Sequence, residues 1–282
     1  MLVNGIKLID IINIVKEASK EVLSVYNSKD YGILTKEDKT PLTIADRKSH
    51  NIIFNHLRRM VSHIPVLSEE GKNIPYEKRV NWHLFWLIDP LDGTKEFIRK
   101  NGEFTINVAL IEKTSPLLGV VAVPVRDEIY FGIAGNGAYK VKDVSKININ
   151  HEEVLYKVAK RLPQSCFREK IIVVGSRSHS DEKTESYIQK LKSLSEIEVI
   201  PVGSSYKLCY LAEGLADVYP RFGTTMEWDI AAGHIILKEA GGRIYNAITL
   251  SELVYNKPCL ENPPFIAESH YFREKYGNEA KS

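Results

Sequence analysis

The densest group of potentially reactive side chains lies in the segment 86–94, Trp-Leu-Ile-Asp-Pro-Leu-Asp-Gly-Thr. Its apolar start predicts a buried strand that ends at Asp89, after which a proline and a glycine turn the chain. Asp92 and Thr94 then fall at the start of a predicted short helix, whose free amides could also cradle a phosphate. Two carboxylates this close repel unless a cation lies between them, and oxygen ligands without His or Cys favour Mg²⁺. An ordinary turn, with Thr94 as a helix cap, explains the same residues without a metal.

Three further segments place carboxylates at the ends of predicted elements. Glu69 and Glu70 follow a short apolar strand, where a solvated loop is the simplest explanation. Asp229 lies in the first turn of an otherwise apolar helix, where it would pair favourably with the helix dipole. Thr43 and Asp46 have the spacing of a capping box. Each segment alone has a structural explanation, so only their combination points to a function.

The overall composition narrows the class of protein. Lys plus Arg number 38 against 36 for Asp plus Glu, a formal charge of +2, without the basic stripe typical of nucleic-acid binders. The three cysteines lie far apart, which is typical of a reducing compartment. The amino terminus alternates apolar and charged residues as an amphipathic helix does, and no apolar run approaches the roughly 20 residues of a membrane span. These features predict a cytoplasmic protein without a nucleic-acid partner or a transmembrane segment.

Hydrophobic periodicity predicts two helices and then a sheet in the first half of the chain. The helices cover about 5–27 and 43–62, and Ile44 is among the positions expected to face the core. Period-two patterns then predict strands at 66–67, 85–88, 105–111, 118–123, 129–133 and 138–141. We expect these strands to form an antiparallel sheet within an amino-terminal lobe of residues 1–150.

The second half of the chain has a different pattern. A polar passage at 142–170 precedes alternating elements, which are strands at 171–174, 199–202 and 217–219 and helices at 182–194, 205–213 and 226–240. The Gly241-Gly242 pair ends the last helix. We expect a smaller mixed α/β half at residues 151–282, so the whole chain should adopt a layered α/β fold.

Taken in order, the acidic segments resemble the inositol monophosphatase superfamily, which carries Glu-Glu after a strand, then Asp-Pro-Leu-Asp-Gly-Thr, then Trp-Asp-Ile-Ala-Ala-Gly. Other segments are similar to the CysQ-type 3'(2'),5'-bisphosphate nucleotidases within it. They are Asp-Gly-Thr-Lys-Glu-Phe at 92–97, Asn-Gly-Glu-Phe-Thr at 101–105, Ser-Arg-Ser-His at 176–179, Gly-Ser-Ser-Tyr-Lys at 203–207 and Tyr-Pro-Arg-Phe-Gly at 219–223. The resemblance covers roughly residues 35 to 245 and implies an αβαβα layered fold.

The resemblance also implies roles for individual residues. The expected metal ligands are Glu70, Asp89, Asp92, Asp229 and the carbonyl of Leu91. Glu69 is the less expected ligand of its pair, while Asp46 and Thr94 are the expected catalytic pair. The expected substrate contacts are Glu70, Asp92, Gly93, Thr94, His179, Ser204, Ser205, Lys207, Arg221 and Asp229.

The implied reaction is Mg²⁺-dependent hydrolysis of adenosine 3',5'-bisphosphate to AMP and phosphate, with two or three Mg²⁺ ions and water as the nucleophile. Lys207 and Arg221 would hold the phosphate that is not cut, since a guanidinium suits bidentate phosphate binding. Without the resemblance, structural explanations are favoured, with Ser204 as a helix cap, Lys207 as a solvated lysine and His179 as a cap or loop residue.

Several alternatives stay open at this point. The same chemistry could act on inositol phosphates or fructose 1,6-bisphosphate, and a non-catalytic nucleotide sensor is a different class of function. The sequence does not decide whether 3'-phosphoadenylyl sulfate is also cut, whether the chain is a monomer or a homodimer, or whether it associates peripherally with the inner membrane. Family membership further implies lithium sensitivity and a role in sulfur metabolism.

Overall fold

The structure, a computed structural model, describes residues 2–3, 5–28, 32, 34–35, 41–164, 168–175 and 182–277. Its first elements are β1 (Leu2–Val3), β2 (Ile6–Lys7), α1 (Leu8–Tyr26), β3 (Leu34–Thr35), β4 (Pro41–Leu42), α2 (Ile44–Met60), β5 (Val66–Ser68), α3 (Tyr76–Arg79), β6 (Leu84–Asp92) and α4 (Thr94–Ile98). Four longer strands follow, which are β7 (Thr105–Glu112), β8 (Ser115–Val123), β9 (Glu128–Ile133) and β10 (Gly137–Lys142). The remaining elements are α5 (Glu152–Val158), β11 (Lys160–Arg161), β12 (Ile171–Gly175), α6 (Glu182–Leu191), β13 (Ile197–Pro201), α7 (Tyr206–Glu213), β14 (Val218–Arg221), α8 (Glu227–Glu239), β15 (Arg243–Asn246), β16 (Phe265–Glu268) and α9 (His270–Tyr276).

A seven-stranded sheet forms the centre of the first half, in the order β11-β10-β9-β8-β7-β6-β5. Its neighbours pair antiparallel except β5, which runs parallel to β6 with Val66 opposite Trp86. Short connections join the strands from β7 to β10, as expected for an antiparallel meander, and the connection from β6 to β7 contains α4. The predicted antiparallel pairing is therefore confirmed for β6 to β10, whereas the strand predicted at 66–67 pairs parallel.

Helices α1 and α2 cover one face of this sheet. Their apolar residues recur every three or four positions, so each helix presents one buried stripe, such as Ile11, Val15, Ala18 and Val22 on α1. That stripe packs against sheet residues of the same face, including Trp86. Burying large apolar side chains on this scale supplies most of the favourable free energy of folding.

A five-stranded sheet, in the order β13-β12-β14-β16-β15, forms the second half. Strands β13, β12 and β14 are mutually parallel neighbours, while β16 runs antiparallel to both β14 and β15. Helices α7 and α8 lie between the two sheets, and residues of α6 and α9 pack on the outer face of the smaller sheet. The layers therefore follow the order αβαβα, which confirms the predicted fold class.

Helix α8 approaches the large sheet unusually closely, because glycines face it on two adjacent strands. A Cβ atom added at Gly119 on β8 would lie 2.4 Å from the carbonyl oxygen of Ala232, and one at Gly132 on β9 would lie 2.8 Å from the Cα atom of Ile236. Neither position has room for a side chain. This contact fixes the height above the sheet of the helix that carries Asp229.

Several expectations differ from the structure in detail. The passage at 142–170 contains α5 and β11, and β11 pairs with β10 as an edge of the large sheet. The boundary drawn at residue 150 stays a prediction. Ile44 was expected in the core but is 40% exposed, because it is the first residue of α2. No helix in the described ranges has both the length and the apolar character needed to cross a bilayer.

Candidate metal centre and substrate pocket

The Asp89–Asp92 segment is an irregularity in strand β6 rather than a turn after it. Asp89 pairs with Asn107 and Asp92 with Thr105, so β6 advances three residues while β7 advances two. The extra residue makes a β-bulge, a position where proline, which lacks a backbone donor, is tolerated. Ser49 on α2 donates a hydrogen bond to the carbonyl of Pro90 at 2.7 Å, and the Leu91 amide donates to Oδ1 of Asp89 at 3.1 Å. The predicted strand end at Asp89 was therefore three residues short.

Gly93 makes the corner between β6 and α4. Its φ of +90° lies in the left-handed region, which a residue with a side chain rarely adopts. A Cβ atom here would also lie 3.1 Å from Oε2 of Glu96 and 3.2 Å from Cβ of Ser204. Glycine therefore lets the chain turn tightly while the 203–205 segment packs against the corner.

Asp46 serves two partners at once. Its Oδ2 atom accepts hydrogen bonds from the amide of Thr43 at 2.7 Å and from the Thr43 hydroxyl at 2.6 Å, which completes the predicted capping box of α2. Its Oδ1 atom accepts from the Thr94 hydroxyl at 3.3 Å. Asp46 is only 2% exposed, so the helix cap also holds a carboxylate against Thr94. The structural and the functional explanation of this residue are therefore compatible.

Glu69 and Glu70 follow β5 in a turn beside β6, where the Glu69 amide donates to the carbonyl of Ile88 at 3.2 Å. Burial is the main cause of the raised pKa of Asp89, and the Glu69 carboxylate adds to it through its charge and through a hydrogen bond. Burial lowers the pKa of His50, and the charge of Glu70 partly opposes that effect. This geometry favours Glu69 over Glu70 as the neighbour of the aspartates. The assignment of Glu70 as the ligand of the pair stays a prediction.

Asp229 enters the site from the opposite half of the chain, at the third position of α8. Its Oδ2 atom accepts a hydrogen bond from the Met226 amide at 2.8 Å. Burial, followed by the charge of Asp92, raises its pKa well above the ordinary range. Burial similarly raises the pKa of Asp89, and Glu69, Asp92 and Asp229 add to the shift. Four carboxylates are therefore electrostatically coupled where β5, β6 and α8 meet.

The chemistry of this donor set suits Mg²⁺. Carboxylate oxygens are the hard ligands that Mg²⁺ prefers, and a divalent cation offsets the repulsion that raises these pKa values. In the described ranges no three His, Cys, Asp or Glu side chains are arranged as ligands of a single ion. Asp92 accepts a hydrogen bond from the Ser205 amide and Asp229 accepts one from the Met226 amide, so both carboxylates are already oriented by the backbone.

A cavity of about 170 Å³ adjoins the carboxylates. Seven predicted substrate contacts line it, which are Asp92, Gly93, Ser204, Ser205, Lys207, Arg221 and Asp229. Lys95, Glu96 and Tyr219 also line it, although the sequence analysis gave them no role. Thr94 lies outside this lining, next to Asp46, and His179 lies outside the described residues.

Among the described residues, three cationic side chains line this cavity, and two of them, Lys207 and Arg221, are at least partly buried. Lys207 is 6% exposed, its Nζ donates to the Ser204 carbonyl at 3.0 Å and lies 5.2 Å from the centre of the Tyr219 ring. Burial lowers its pKa to about 8, although the charge of Asp92 acts in the opposite direction. Arg221 donates from one terminal nitrogen to the Thr224 carbonyl at 2.9 Å, while its Nε is buried without a hydrogen-bond partner in the described part of the chain. An anion in the cavity would supply the acceptor that this atom lacks.

Ser205 joins the cavity to the carboxylates. Its amide and its hydroxyl each donate to Oδ2 of Asp92 at 2.5 Å, and the hydroxyl also lies within hydrogen-bonding distance of the Asp229 carbonyl. Asn107 on β7 donates to the same hydroxyl at 2.8 Å. The first turn of α7 is therefore attached directly to the end of β6, which puts Lys207 beside Asp92.

Comparison with known proteins agrees with this geometry. The model of the inositol monophosphatase family matches residues 7–273. The 3'(2'),5'-bisphosphate nucleotidase CysQ of Salmonella typhimurium is 41% identical over 82% of this chain and 87% of its own length, and that of Haemophilus influenzae is 33% identical over 94% of both. The crystal structure of CysQ from Bacteroides thetaiotaomicron superposes with a TM-score of 0.85 at 44% identity, covering 93% of this chain and 96% of that one. This chain therefore belongs to the inositol monophosphatase family.

Proposed function

We infer that the chain is a 3'(2'),5'-bisphosphate nucleotidase that hydrolyses adenosine 3',5'-bisphosphate to AMP and phosphate. Relatives that carry this activity in their name match most of the chain at 33–41% identity. The enzyme is a metal-dependent phosphatase, as the family is, and we propose that two or three Mg²⁺ ions are used.

The observation that carries this proposal is the position of Lys207 and Arg221 relative to the carboxylates. A substrate with two phosphates needs one centre that cuts and a second, cationic centre that holds. The carboxylates Asp89, Asp92 and Asp229 would provide the first. The cavity would provide the second, with Lys207 and with the Nε of Arg221, which has no hydrogen-bond partner among the described residues. Ser205 is hydrogen-bonded to Asp92 and two residues from Lys207, so the two centres are adjacent.

Asp89, Asp92, Asp229, the Leu91 carbonyl and one glutamate of the 69–70 pair would hold the ions. When bound, Mg²⁺ supplies Lewis acidity, which lowers the pKa of a water molecule and neutralises charge on phosphate oxygens. Ser205 fixes the Asp92 carboxylate by two hydrogen bonds, so Asp92 keeps its position as charge develops during the reaction. The Met226 amide does the same for Asp229.

Thr94 and Asp46 would manage the proton of the attacking water. The Thr94 hydroxyl donates to Asp46 at 3.3 Å, which leaves the Thr94 oxygen free to accept a hydrogen bond from water. Asp46 in turn is held by two hydrogen bonds from Thr43. The pair can therefore orient the water and receive its proton, and no covalent phosphoenzyme is required.

The test is phosphate release from adenosine 3',5'-bisphosphate, inositol 1-phosphate and fructose 1,6-bisphosphate, each with Mg²⁺ and with EDTA. We expect Mg²⁺-dependent turnover with preference for the nucleotide. Preference for inositol 1-phosphate or fructose 1,6-bisphosphate would keep the metal centre and contradict the substrate. Binding of the nucleotide without multiple turnovers would instead favour a nucleotide sensor.

We further propose that the protein acts in the cytoplasm, as a monomer or a homodimer, on a small-molecule substrate. The separated cysteines and the balanced charge of +2 support the compartment and the absence of a nucleic-acid partner. Peripheral association with a membrane stays a prediction without further support.

A further inference from the structure

The segment Asn101-Gly102-Glu103 is one of the motifs that the mechanism above leaves without a role. It lies between α4 and β7, in the amino-terminal half of the chain. The segment Gly203-Ser204-Ser205, which precedes α7 in the other half, packs directly against it. The contact between these two loops decides where the phosphate-holding part of the pocket sits.

Two hydrogen bonds join the loops. The Gly203 amide donates to Oε2 of Glu103 at 2.8 Å, and the Ser204 hydroxyl donates to the backbone carbonyl of Glu103 at 2.6 Å. Glu103 therefore binds two consecutive residues with two different groups. The Glu103 side chain binds the backbone amide of Gly203, at the start of the turn. At the other end of the turn, the Ser205 amide binds Asp92.

The fit between the loops leaves no room for a side chain at position 203. A Cβ atom added at Gly203 would lie 2.7 Å from Cγ of Glu96, 2.9 Å from Cβ of Glu103 and 3.0 Å from the Glu103 carbonyl oxygen. Ser204 has a φ of +46°, a left-handed conformation that a residue other than glycine adopts only where its surroundings enforce it. The hydrogen bonds that Gly203 and Ser204 donate to Glu103 hold Ser204 in this conformation.

The loop that carries Glu103 is itself rigid. The Glu103 amide donates to the side-chain carbonyl of Asn101 at 3.0 Å, which makes an Asx turn. Gly102 has a φ of +76°, and a Cβ atom there would lie 2.9 Å from a methyl group of Val125. Asn101 and Gly102 therefore shape the turn, and the turn directs the Glu103 carboxylate towards Gly203.

The conformation of Ser204 determines where Lys207 points. The Ser204 carbonyl accepts the hydrogen bond of Lys207 Nζ at 3.0 Å, so a rotation of the Ser204 peptide would move the ammonium group. The position of the lysine ammonium group thus depends on this contact between the loops.

We propose that Glu103 is a positioning residue that sets the pocket for the second phosphate by holding the Gly203–Ser204 turn. This inference rests on the proposed function. Glu103 acts through Gly203, Ser204 and Lys207, so it should affect substrates that carry a second phosphate and spare those that do not.

The test compares Glu103→Ala with Glu103→Gln on adenosine 3',5'-bisphosphate and on adenosine 3'-monophosphate. Loss of one hydrogen bond to the turn should raise the KM of Glu103→Ala for the bisphosphate about tenfold, with kcat and the 3'-monophosphate kcat/KM changed by less than about threefold. Glu103→Gln keeps an acceptor for the Gly203 amide, so it should restore KM to within about threefold of the wild type. Glu112→Ala, a half-buried glutamate at the other end of β7, is the matched control.

Three results would overturn the proposal. They are an unchanged bisphosphate KM in Glu103→Ala, an equal loss of kcat/KM on both substrates, and a Glu103→Gln variant as defective as Glu103→Ala. Calorimetric binding of adenosine 5'-monophosphate, which keeps the second phosphate, tests Glu103 without turnover, and about tenfold weaker binding by Glu103→Ala is expected. A wild-type protein that releases no phosphate would contradict the proposed function alone, because the binding measurement still decides the role of Glu103.

Discussion

Two lysines are buried in the described part of the chain, and they lie near opposite ends of helix α7. Lys140 on β10 is 3% exposed and its Nζ lies 2.8 Å from Glu213, the last residue of α7, and 3.0 Å from Glu128. Lys207, in the first turn of α7, is 6% exposed and donates to a neutral carbonyl. Burial costs both ammonium groups their hydration, but only Lys140 is bound directly by carboxylates.

The difference separates a structural charge from a functional one. Lys140 neutralises a closed group in which the Tyr130 hydroxyl also donates to Glu213 at 2.8 Å, so its interactions are complete without a ligand. Lys207 has its pKa lowered to about 8 and faces a cavity beside Asp92. A buried cation with an incomplete set of acceptors is suited to an anionic ligand. The same helix therefore carries a buried ion pair at one end and, as we propose, a phosphate-binding group at the other.

The largest effect on activity is expected for Asp92, the carboxylate beside Lys207. Asp92→Asn should lower kcat/KM about 10³-fold, because it removes a charge that holds Mg²⁺ and stabilises the developing charge. Phosphate release measured over a range of Mg²⁺ concentrations checks this. A variant with the wild-type rate at limiting Mg²⁺ would contradict the metal-centre assignment.

Removing the positive charge of Lys140 should affect the stability of the protein rather than substrate binding. Lys140→Met leaves Glu128 and Glu213 buried together without their cation, so it should lower the free energy of unfolding by about 3–5 kcal/mol. Urea denaturation measures the change. Lys142→Met is the matched control, since Lys142 is 56% exposed at 3.7 Å from Glu128 and should cost less than about 1 kcal/mol. Equal effects of the two substitutions would remove the distinction drawn for Lys140.

The converse is expected for Lys207→Ala. Loss of a charge-assisted contact should lower kcat/KM for adenosine 3',5'-bisphosphate by about 10–100-fold, since such contacts contribute about 1.5–3 kcal/mol. The midpoint of urea denaturation should change far less than in Lys140→Met. Unaltered bisphosphate hydrolysis would show that the second phosphate binds elsewhere.

The smallest expected effect comes from pH. Because burial lowers the pKa of Lys207 to about 8, the free enzyme loses this positive charge as pH rises through that value, and binding of the second phosphate weakens. The ratio of kcat/KM for the bisphosphate to that for adenosine 3'-monophosphate should therefore fall, by up to about tenfold per pH unit above 8. Using the ratio cancels the pH dependence of the shared chemical step. A ratio that stays flat up to pH 9.5 would mean that Lys207 keeps its proton throughout.

The local sequence was sufficient to predict the position of candidate site residues that lie close together within one element. The strand, bulge and corner at 84–93 place two aspartates and a glycine within five residues, and the capping box of α2 was predicted from Thr43 and Asp46 alone. The alternation of helices and strands similarly predicted a layered α/β fold, and the resemblance to the family supplied the order of the layers. Strands β15 and β16 were not predicted from the sequence.

The contacts between distant segments could not be predicted in the same way. Nothing near Glu103 in the sequence indicates that it meets Gly203, and Glu69 and Glu70 are equivalent in a local pattern. Only the packed structure shows that the Glu69 charge acts on Asp89 while the Glu70 charge acts on His50. The resemblance to known nucleotidases supplied residue roles in the pocket, but not the reason for the Asn-Gly-Glu motif.

The close seating of α8 on Gly119 and Gly132 has a consequence for sequence variation at a distance from the metal centre. A methyl group at either glycine would lift the helix, and Asp229 at its amino-terminal end would move with it. A glycine-to-alanine substitution at either position, although conservative in size, should therefore weaken magnesium binding. In variants of this enzyme that need an unusually high magnesium concentration for activity, these two interior positions are the first to examine.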